Sequence, residues 1–263
     1  MIEGSSMRFT VLRRGGFAAS AMALAFAAAP AQAMLVQPMV IRMTTAGQGS
    51  NAAITVVNDK NRPDTIQVKV SKLTVNETGA PVVEPIKGDD FLIFPPIATI
   101  EAGKTQVFRV RWVGEPKLDK AQLYMITSQE VPVDQQASGV QVVYAIQTLV
   151  AVSAPGMTAT PELVSQTPAE HDIPASPQGP AHHDVGLDVV IGNNGNNALF
   201  VSDYSLRLQD DKGFKQDLSP VDVEHAVGLG LVPPGGRRQM FIPVKDLPKT
   251  GPVTITFRKD DKG

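Results

Sequence analysis

Short runs of alternating apolar and polar residues constrain the fold of this chain more than any other feature of its sequence. The segments AAITVVND, TIQVKVSKLTV and TQVFRVRWV each direct successive side chains to opposite faces, as half-buried strands do. Turn residues such as Asn58-Asp59 and Ala102-Gly103 separate these runs. Because no long stretch has helical periodicity, the pattern predicts an antiparallel, all-β fold of the sandwich type.

A change in composition divides the chain into two parts. Its 263 residues provide room for two domains of roughly a hundred residues each. We expect the first domain over residues 34–154. Residues 155–183 are rich in Pro, Ser and Ala and have no clear strand pattern, which indicates a linker or a loosely held beginning of a second domain. Strand patterns return in residues 184–263, which we expect to form a second β domain.

Residues 1–33 have the organisation of a secretory signal peptide. After Met7, a short basic region is followed by the apolar run FAASAMALAFAAAP and by the small-residue cleavage site Ala31-Gln32-Ala33. The apolar run is too short to span a bilayer. We therefore expect export, with residues 1–6 as extra leader residues and with Met34 as the first residue of the mature chain.

The composition argues against several classes of function. The net charge of −2 does not indicate nucleic acid as a partner, and without cysteine the chain can form neither disulfides nor thiolates. The pair His182-His183 lies in the Pro-rich segment without partners at metal-ligand spacing, so we expect a solvated loop, no metal and no cofactor. No nucleophile elbow, phosphate loop or zinc-binding helix motif occurs, so we do not expect an enzyme. A β-sandwich hydrolase with dispersed catalytic residues remains an alternative.

The segment from Gln135 to Pro161 contains no charged residue, although its centre, VQVVYAIQT, is rich in strong strand formers. An uncharged strand edge tends to recruit other chains, so soluble proteins usually interrupt such a segment. Strand alternation gives it two faces. One face carries the large apolar side chains of Val140, Val142, Tyr144 and Ile146. The opposite face, which we expect to pack on the domain's own core, carries Gln141, Val143, Ala145 and Gln147.

An ordered set of motifs between Phe91 and Pro132 resembles the PapD-like periplasmic chaperones of chaperone–usher pilus assembly. Members of that family have a Pro-Pro strand start, a Leu-x-Pro-Gly-like turn, an Arg-bearing strand, a Leu-Pro-x-Asp-Arg-Glu-Ser-like stretch and a strand that ends in Ile-Pro. The corresponding residues here are Pro95-Pro96, Ile100 to Gly103, Arg109, Leu118 to Gln122, and Val131-Pro132. The resemblance covers most of residues 34–152 and implies two immunoglobulin-like β-sandwich domains.

The resemblance also implies a function. In the family, the last strand of the first domain is lent to a pilin subunit whose own sandwich lacks its final strand, and alternate side chains of that strand enter pockets of the subunit. The lent side chains here would be those of Val140, Val142, Tyr144 and Ile146. The implied partners are pilin subunits and an outer-membrane usher, the implied compartment is the periplasm, and the strand also allows self-association. The competing interpretation is a secreted β-sandwich structural or adhesive protein.

Family members usually hold the subunit's terminal carboxylate with an Arg on the first strand and a Lys late in the donor strand. Arg42 occupies the first position when the sequence is aligned without gaps from Asn58-Asp59. The lysine position falls near Ala151, and the strand around it carries no Lys or Arg. The resemblance therefore leaves two alternatives: Arg109 or Arg111 supplies the second charge, or Arg42 acts alone.

Overall fold

The computed structural model describes residues 34–86, 88–132, 143–175, 179–248 and 252–259. The expected signal peptide and the candidate donor residues Val140 and Val142 lie outside these ranges. The described residues form two β-sandwich domains, which confirms the expected all-β, immunoglobulin-like fold class. None of the described helices is long and apolar enough to cross a membrane.

Two sheets pack face to face in the first domain. Its strands are β1 (Met34–Gln37), β2 (Val40–Thr44), β3 (Asn51–Asn58), β4 (Asp64–Val75), β5 (Pro81–Pro85), β6 (Phe91–Phe94), β7 (Ile97–Ile100), β8 (Thr105–Trp112), β9 (Gln122–Glu130) and β10 (Ala145–Ser153). One sheet has the order β1-β3-β8-β6, and the other has the order β2-β10-β9-β4-β5, with β7 also paired to β4. The consecutive strands β1 and β2 therefore belong to different sheets, and β2 lies beside β10.

The alternation seen in the sequence fills the core between these sheets. Ile54 and Val56 of β3 and Phe108 and Val110 of β8 are each no more than 1% exposed, while the residues between them face outwards. Burial of each such side chain contributes roughly 1.5–3 kcal/mol. The hydrophobic pattern thus fixes which side of each strand meets the core.

The second domain combines short sheets with one helix. Its strands are β11 (Pro161–Ile173), β12 (His182–Asn193), β13 (Leu199–Phe200), β14 (Tyr204–Gln209), β15 (Lys215–Leu218), β16 (Leu231–Val232), β17 (Arg237–Pro243) and β18 (Thr254–Lys259), and its helix is α1 (Pro220–Val227). The strand orders are β11-β12-β17, β13-β16 and β15-β14-β18. Ser219 and Asp222 cap the start of α1 reciprocally, and Pro220 occupies its first turn, where no backbone donor is needed.

The segment expected to be a linker contains a long strand of the second domain. β11 pairs with β12 from Pro161 opposite Asn193 to Ile173 opposite His182. The expectation that residues 155–183 lack a clear strand is therefore wrong, and His182-His183 begin β12 instead of lying in a loop. The physical reason is the position of β11 at a sheet edge, where a proline such as Pro168 can be accommodated without breaking the sheet. Proline and weak alternation hid this strand in the sequence.

An apolar cluster joins the two domains, and the described residues of both belong to one compact unit. This interdomain cluster consists of Leu73, Ala121, Leu123, Leu149 and Ala151 from the first domain and Ala198, Phe200 and Leu231 from the second. Backbone hydrogen bonds reinforce it, because the Ala121 amide donates to the Asn196 carbonyl at 2.8 Å and the Gln239 amide donates to the Glu77 carbonyl at 2.7 Å. The second domain is thus packed firmly against the first.

A buried group of three charges lies where β4 and β9 meet. The Lys60 ammonium is 2.8 Å from an Asp64 carboxylate oxygen and 2.5 Å from a Glu130 carboxylate oxygen, and all three side chains are almost fully buried. Burial disfavours the charge on Lys60, but the hydrogen bonds that its ammonium donates to both carboxylates outweigh this effect, so the pKa of Lys60 is raised above its ordinary value. The lysine is therefore charged at neutral pH and neutralises one of its two partners.

We expect Lys60→Ala to lower the free energy of unfolding by about 3–5 kcal/mol, because it leaves two buried carboxylates without a counter-ion. Chemical denaturation followed by circular dichroism would measure the loss. Lys104→Ala, at an exposed turn, is the control and should change the free energy of unfolding by less than about 0.5 kcal/mol. Equal effects of the two substitutions would contradict a structural role for the buried charges.

Candidate functional site

The first half of β10 has an unpaired edge. On one side, β9 pairs with β10 along its length, from Ala145 to Val152. On the other side, the parallel pairing with β2 begins only at Leu149, opposite Val40. Within the part of the chain that the structure describes, Ala145 to Gln147 therefore have a strand neighbour on one side only, while the buried Thr148 hydroxyl donates a hydrogen bond to the Pro38 carbonyl just before β2. Such an edge can accept another strand through main-chain hydrogen bonds.

The two faces of β10 differ from the expectation. Ile146 is half-buried against the core of the first domain, whereas Ala145 and Gln147 are exposed. The expectation that Ala145 and Gln147 pack on the domain's own core is therefore wrong. Alternation identifies which residues share a face, but it does not decide which face meets the core, because both faces of this strand carry apolar residues.

Tyr144 precedes β10 and lies beside the buried charges. Its ring centroid is 5.4 Å from the Lys60 ammonium nitrogen, within the range of a cation–π contact, and its backbone carbonyl accepts a hydrogen bond of 3.0 Å from the Glu130 amide. The side chain nevertheless remains 41% exposed. The backbone of Tyr144 is thus fixed to β9 while part of its ring stays available at the surface.

Arg42 projects from β2 toward the second domain. Its guanidinium lies 4.2 Å from the centroid of the Phe200 ring, and one of its nitrogens is 2.7 Å from a carboxylate oxygen of Asp203. The Arg42 side chain is still 53% exposed, so this ion pair does not bury it. In the β2–β10 ladder, Arg42 is directly opposite Ala151. The two positions that the family resemblance singled out as the carboxylate anchor are therefore neighbours on adjacent strands.

A cavity of about 310 Å³ opens between the domains at this point, and we refer to it as the interdomain cavity. Its polar lining includes Arg42 from the first domain and Asp203, Tyr204 and Lys259 from the second. Burial, and then the charge of the neighbouring Asp203, raises the pKa of Tyr204, so this phenol is neutral and can donate a hydrogen bond. The lining therefore offers two cations and a hydroxyl to an anionic group.

Arg109 and Arg111 lie elsewhere. Both are exposed on β8, in the sheet that does not contain Arg42, and they line a separate surface groove together with Leu92 and Phe94. The structure does not bring either arginine into the interdomain cavity. Sequence reasoning missed Asp203 and Lys259, and no sequence signal marks them, because they come from the second domain, where the resemblance was weak.

The described residues thus form two immunoglobulin-like sandwiches with a charged cavity between them. Residues 35–152 match the family described as pili and flagellar-assembly chaperone, PapD N-terminal domain. The first domain is therefore similar to the N-terminal domain of the PapD-like pilus-assembly chaperones.

Solved structures with the same architecture are similar to the whole described chain. The class 5 fimbriae chaperone CfaA is 10% identical, with a TM-score of 0.52 over 86% of this chain and 99% of that one. A structure of a chaperone–tip adhesin complex of CFA/I fimbriae biogenesis is also 10% identical, with a TM-score of 0.51 over 86% of this chain and 98% of that one. At this identity the likeness shows the fold alone. No curated protein matches the chain in sequence.

The geometry of the cavity depends on Phe200, which is 3% exposed in the interdomain cluster and lies beneath the Arg42 guanidinium. We expect Phe200→Ala to lower the free energy of unfolding by about 3–5 kcal/mol, because it leaves a cavity in a packed cluster. Denaturant unfolding would measure this loss. Phe94→Ala removes a ring that is 65% exposed and is the matched control. If Phe200→Ala and Phe94→Ala lower the free energy of unfolding by equal, small amounts, the cluster does not hold the domains together.

Proposed function

We propose that this protein is a periplasmic chaperone that binds pilus subunits by lending them the edge of β10 and that passes them to an outer-membrane usher. It carries out no chemical reaction and needs no cofactor. The match of residues 35–152 to the PapD N-terminal domain family supports the chaperone role. The structurally similar chaperone of CFA/I fimbriae biogenesis is bound to a tip adhesin, which supports a subunit of the same general kind as the partner here.

The observation that carries the proposal is the edge of β10 from Ala145 to Gln147, which no other described strand covers on the β2 side. A subunit strand added there would form main-chain hydrogen bonds with β10, and its exposed core would cover the apolar side chains of the lent segment. Tyr144 is available for such contact. Ile146 is half-buried against the chaperone's own core, so any contribution from it requires contact through its remaining exposed surface.

Arg42 would fix the register of the added strand by holding the subunit's terminal carboxylate. The half-exposed guanidinium has donors beyond the one bonded to Asp203, so it can donate hydrogen bonds to a second carboxylate. A charged anchor is useful at this site because a strand added through backbone hydrogen bonds alone can slip along its partner.

Co-expression with a pilin-like protein from a neighbouring gene tests the proposal directly. We expect a one-to-one complex that survives purification, whereas the subunit expressed alone should aggregate or be degraded. The competing function, a secreted β-sandwich protein that assembles through its own edge, would instead give homo-oligomers of this chain and no complex. Size-exclusion chromatography with light scattering distinguishes the two results.

We expect Tyr144→Asp to abolish capture of the subunit while the chaperone still folds. A carboxylate forced into a dry pocket of the subunit would cost several kcal/mol, whereas the exposed position tolerates it in the free chaperone. Val113→Asp, at another exposed apolar position, is the control. Recovery of the subunit complex would be measured together with the circular dichroism spectrum of each variant. Wild-type recovery with Tyr144→Asp would rule out this residue as part of the lent strand.

We expect Arg42→Ala to weaken the subunit complex by about 1.5–3 kcal/mol, as loss of a charge-assisted hydrogen bond does. Arg42→Lys should restore only part of this loss, because lysine lacks the planar fork. Calorimetry with a peptide of the subunit's C-terminus, with and without C-terminal amidation, completes a double-mutant cycle. Amidation should add little to Arg42→Ala, since both remove one interaction. Strictly additive losses would mean that Arg42 does not contact the carboxylate.

A further inference from the structure

Lys259 is a cation of the second domain that lies in the wall of the interdomain cavity with Arg42. Lys259 is the last residue of β18 and is paired with Tyr204 of β14. Tyr204 in turn directly follows Asp203 in the chain. The Lys259 side chain is exposed and forms no ion pair with any residue that the structure describes. The pairing with β14 therefore holds a positive charge at the cavity wall that has no counter-ion among the described residues.

The first domain cannot supply a second cation at this point. Ala151 is directly opposite Arg42 on β10, and it is buried in the interdomain cluster together with Leu149. A lysine there would be buried in an apolar environment, which is costly for a charged group. Arg109 and Arg111 are in the other sheet. Among the described residues that line the cavity, Lys259 is the cation that remains besides Arg42.

Asp203 already accepts a hydrogen bond from the Arg42 guanidinium. Among the described residues that line the cavity, Arg42 and Lys259 are positive and Asp203 is negative, which leaves one positive charge in excess. An incoming carboxylate would compensate that excess charge. Asp203 therefore orients the Arg42 guanidinium against Phe200, while Lys259 leaves the site attractive to an anion.

We infer that Lys259 and Arg42 form a carboxylate-binding pair that spans both domains, with Asp203 as the internal counter-ion of Arg42. This inference rests on the proposed function, since the carboxylate would be the terminus of the bound subunit. Arg42 would provide directional hydrogen bonds from the first domain, and Lys259 would provide a mobile point charge from the second. The bound strand would then contact the second domain as well as the first.

Nuclear magnetic resonance titration of the mature chain tests the site without a subunit. The probe is N-acetylglycine, which ends in a carboxylate, and N-acetylglycinamide is the uncharged comparison. We expect N-acetylglycine to shift the Arg42 Nε and Lys259 Cε resonances with one saturating curve, and the amide to shift neither. Lys259→Gln should weaken binding of N-acetylglycine about fivefold, as expected for an exposed charge contact. Lys259→Arg should bind within about twofold of the wild type.

Lys104→Gln removes a lysine from an exposed turn of the first domain and is the matched control, which should bind the probe as the wild type does. Asp203→Asn keeps an oxygen that accepts from Arg42 but removes the competing charge, so it should tighten binding about twofold. Unchanged binding in Lys259→Gln, with weaker binding in Arg42→Ala, would overturn the role of Lys259 and leave the proposed function intact. If N-acetylglycine shows no saturable binding, the paired site is wrong. Strand donation is tested separately, by recovery of the subunit complex with Tyr144→Asp.

Discussion

Burial of both faces of β10 from Leu149 to Val152 is the constraint on which the rest of the structure depends. Val150 and Val152 pack in the core of the first domain, while Leu149 and Ala151 pack in the interdomain cluster. A strand that is covered on both sides is continuously apolar, and an unpaired charge in it would be costly. The lack of charge from Leu149 to Val152 is therefore explained by the chain's own packing, without any partner.

The same explanation does not extend upstream of Leu149. Ala145 and Gln147 are exposed, and no strand among the described residues pairs with this part of β10 on its β2 side. Proteins commonly protect such an edge with a charge or a proline, and neither occurs here. One strand thus has a scaffold half, which holds the domains together, and an open half, which a pilus subunit would cover under the proposed function. The cavity at Arg42 lies at the scaffold end, opposite Ala151.

Strands with clear alternation were predictable from sequence, whereas edge and interface features were not. β3 and β8 were identified because period-two burial is a local property of each strand. β11 was missed because an edge strand tolerates proline and need not alternate strongly. The outward direction of Ala145 and Gln147 was missed because a strand with apolar residues on both faces does not indicate which face meets the core.

The sequence by itself determined the all-β class, the strand around Ile146 and the position of Arg42 on an early strand of the first domain. Only the tertiary structure decided what surrounds Arg42. Asp203 is 161 residues away from it along the chain, and Lys259 is farther still. Local patterns carry no information about such pairs, because the packing of Phe200 and the interdomain cluster, together with the β14–β18 pairing, sets their positions. Long-range packing therefore determines the charge of the cavity, while local alternation determines the strands that enclose it.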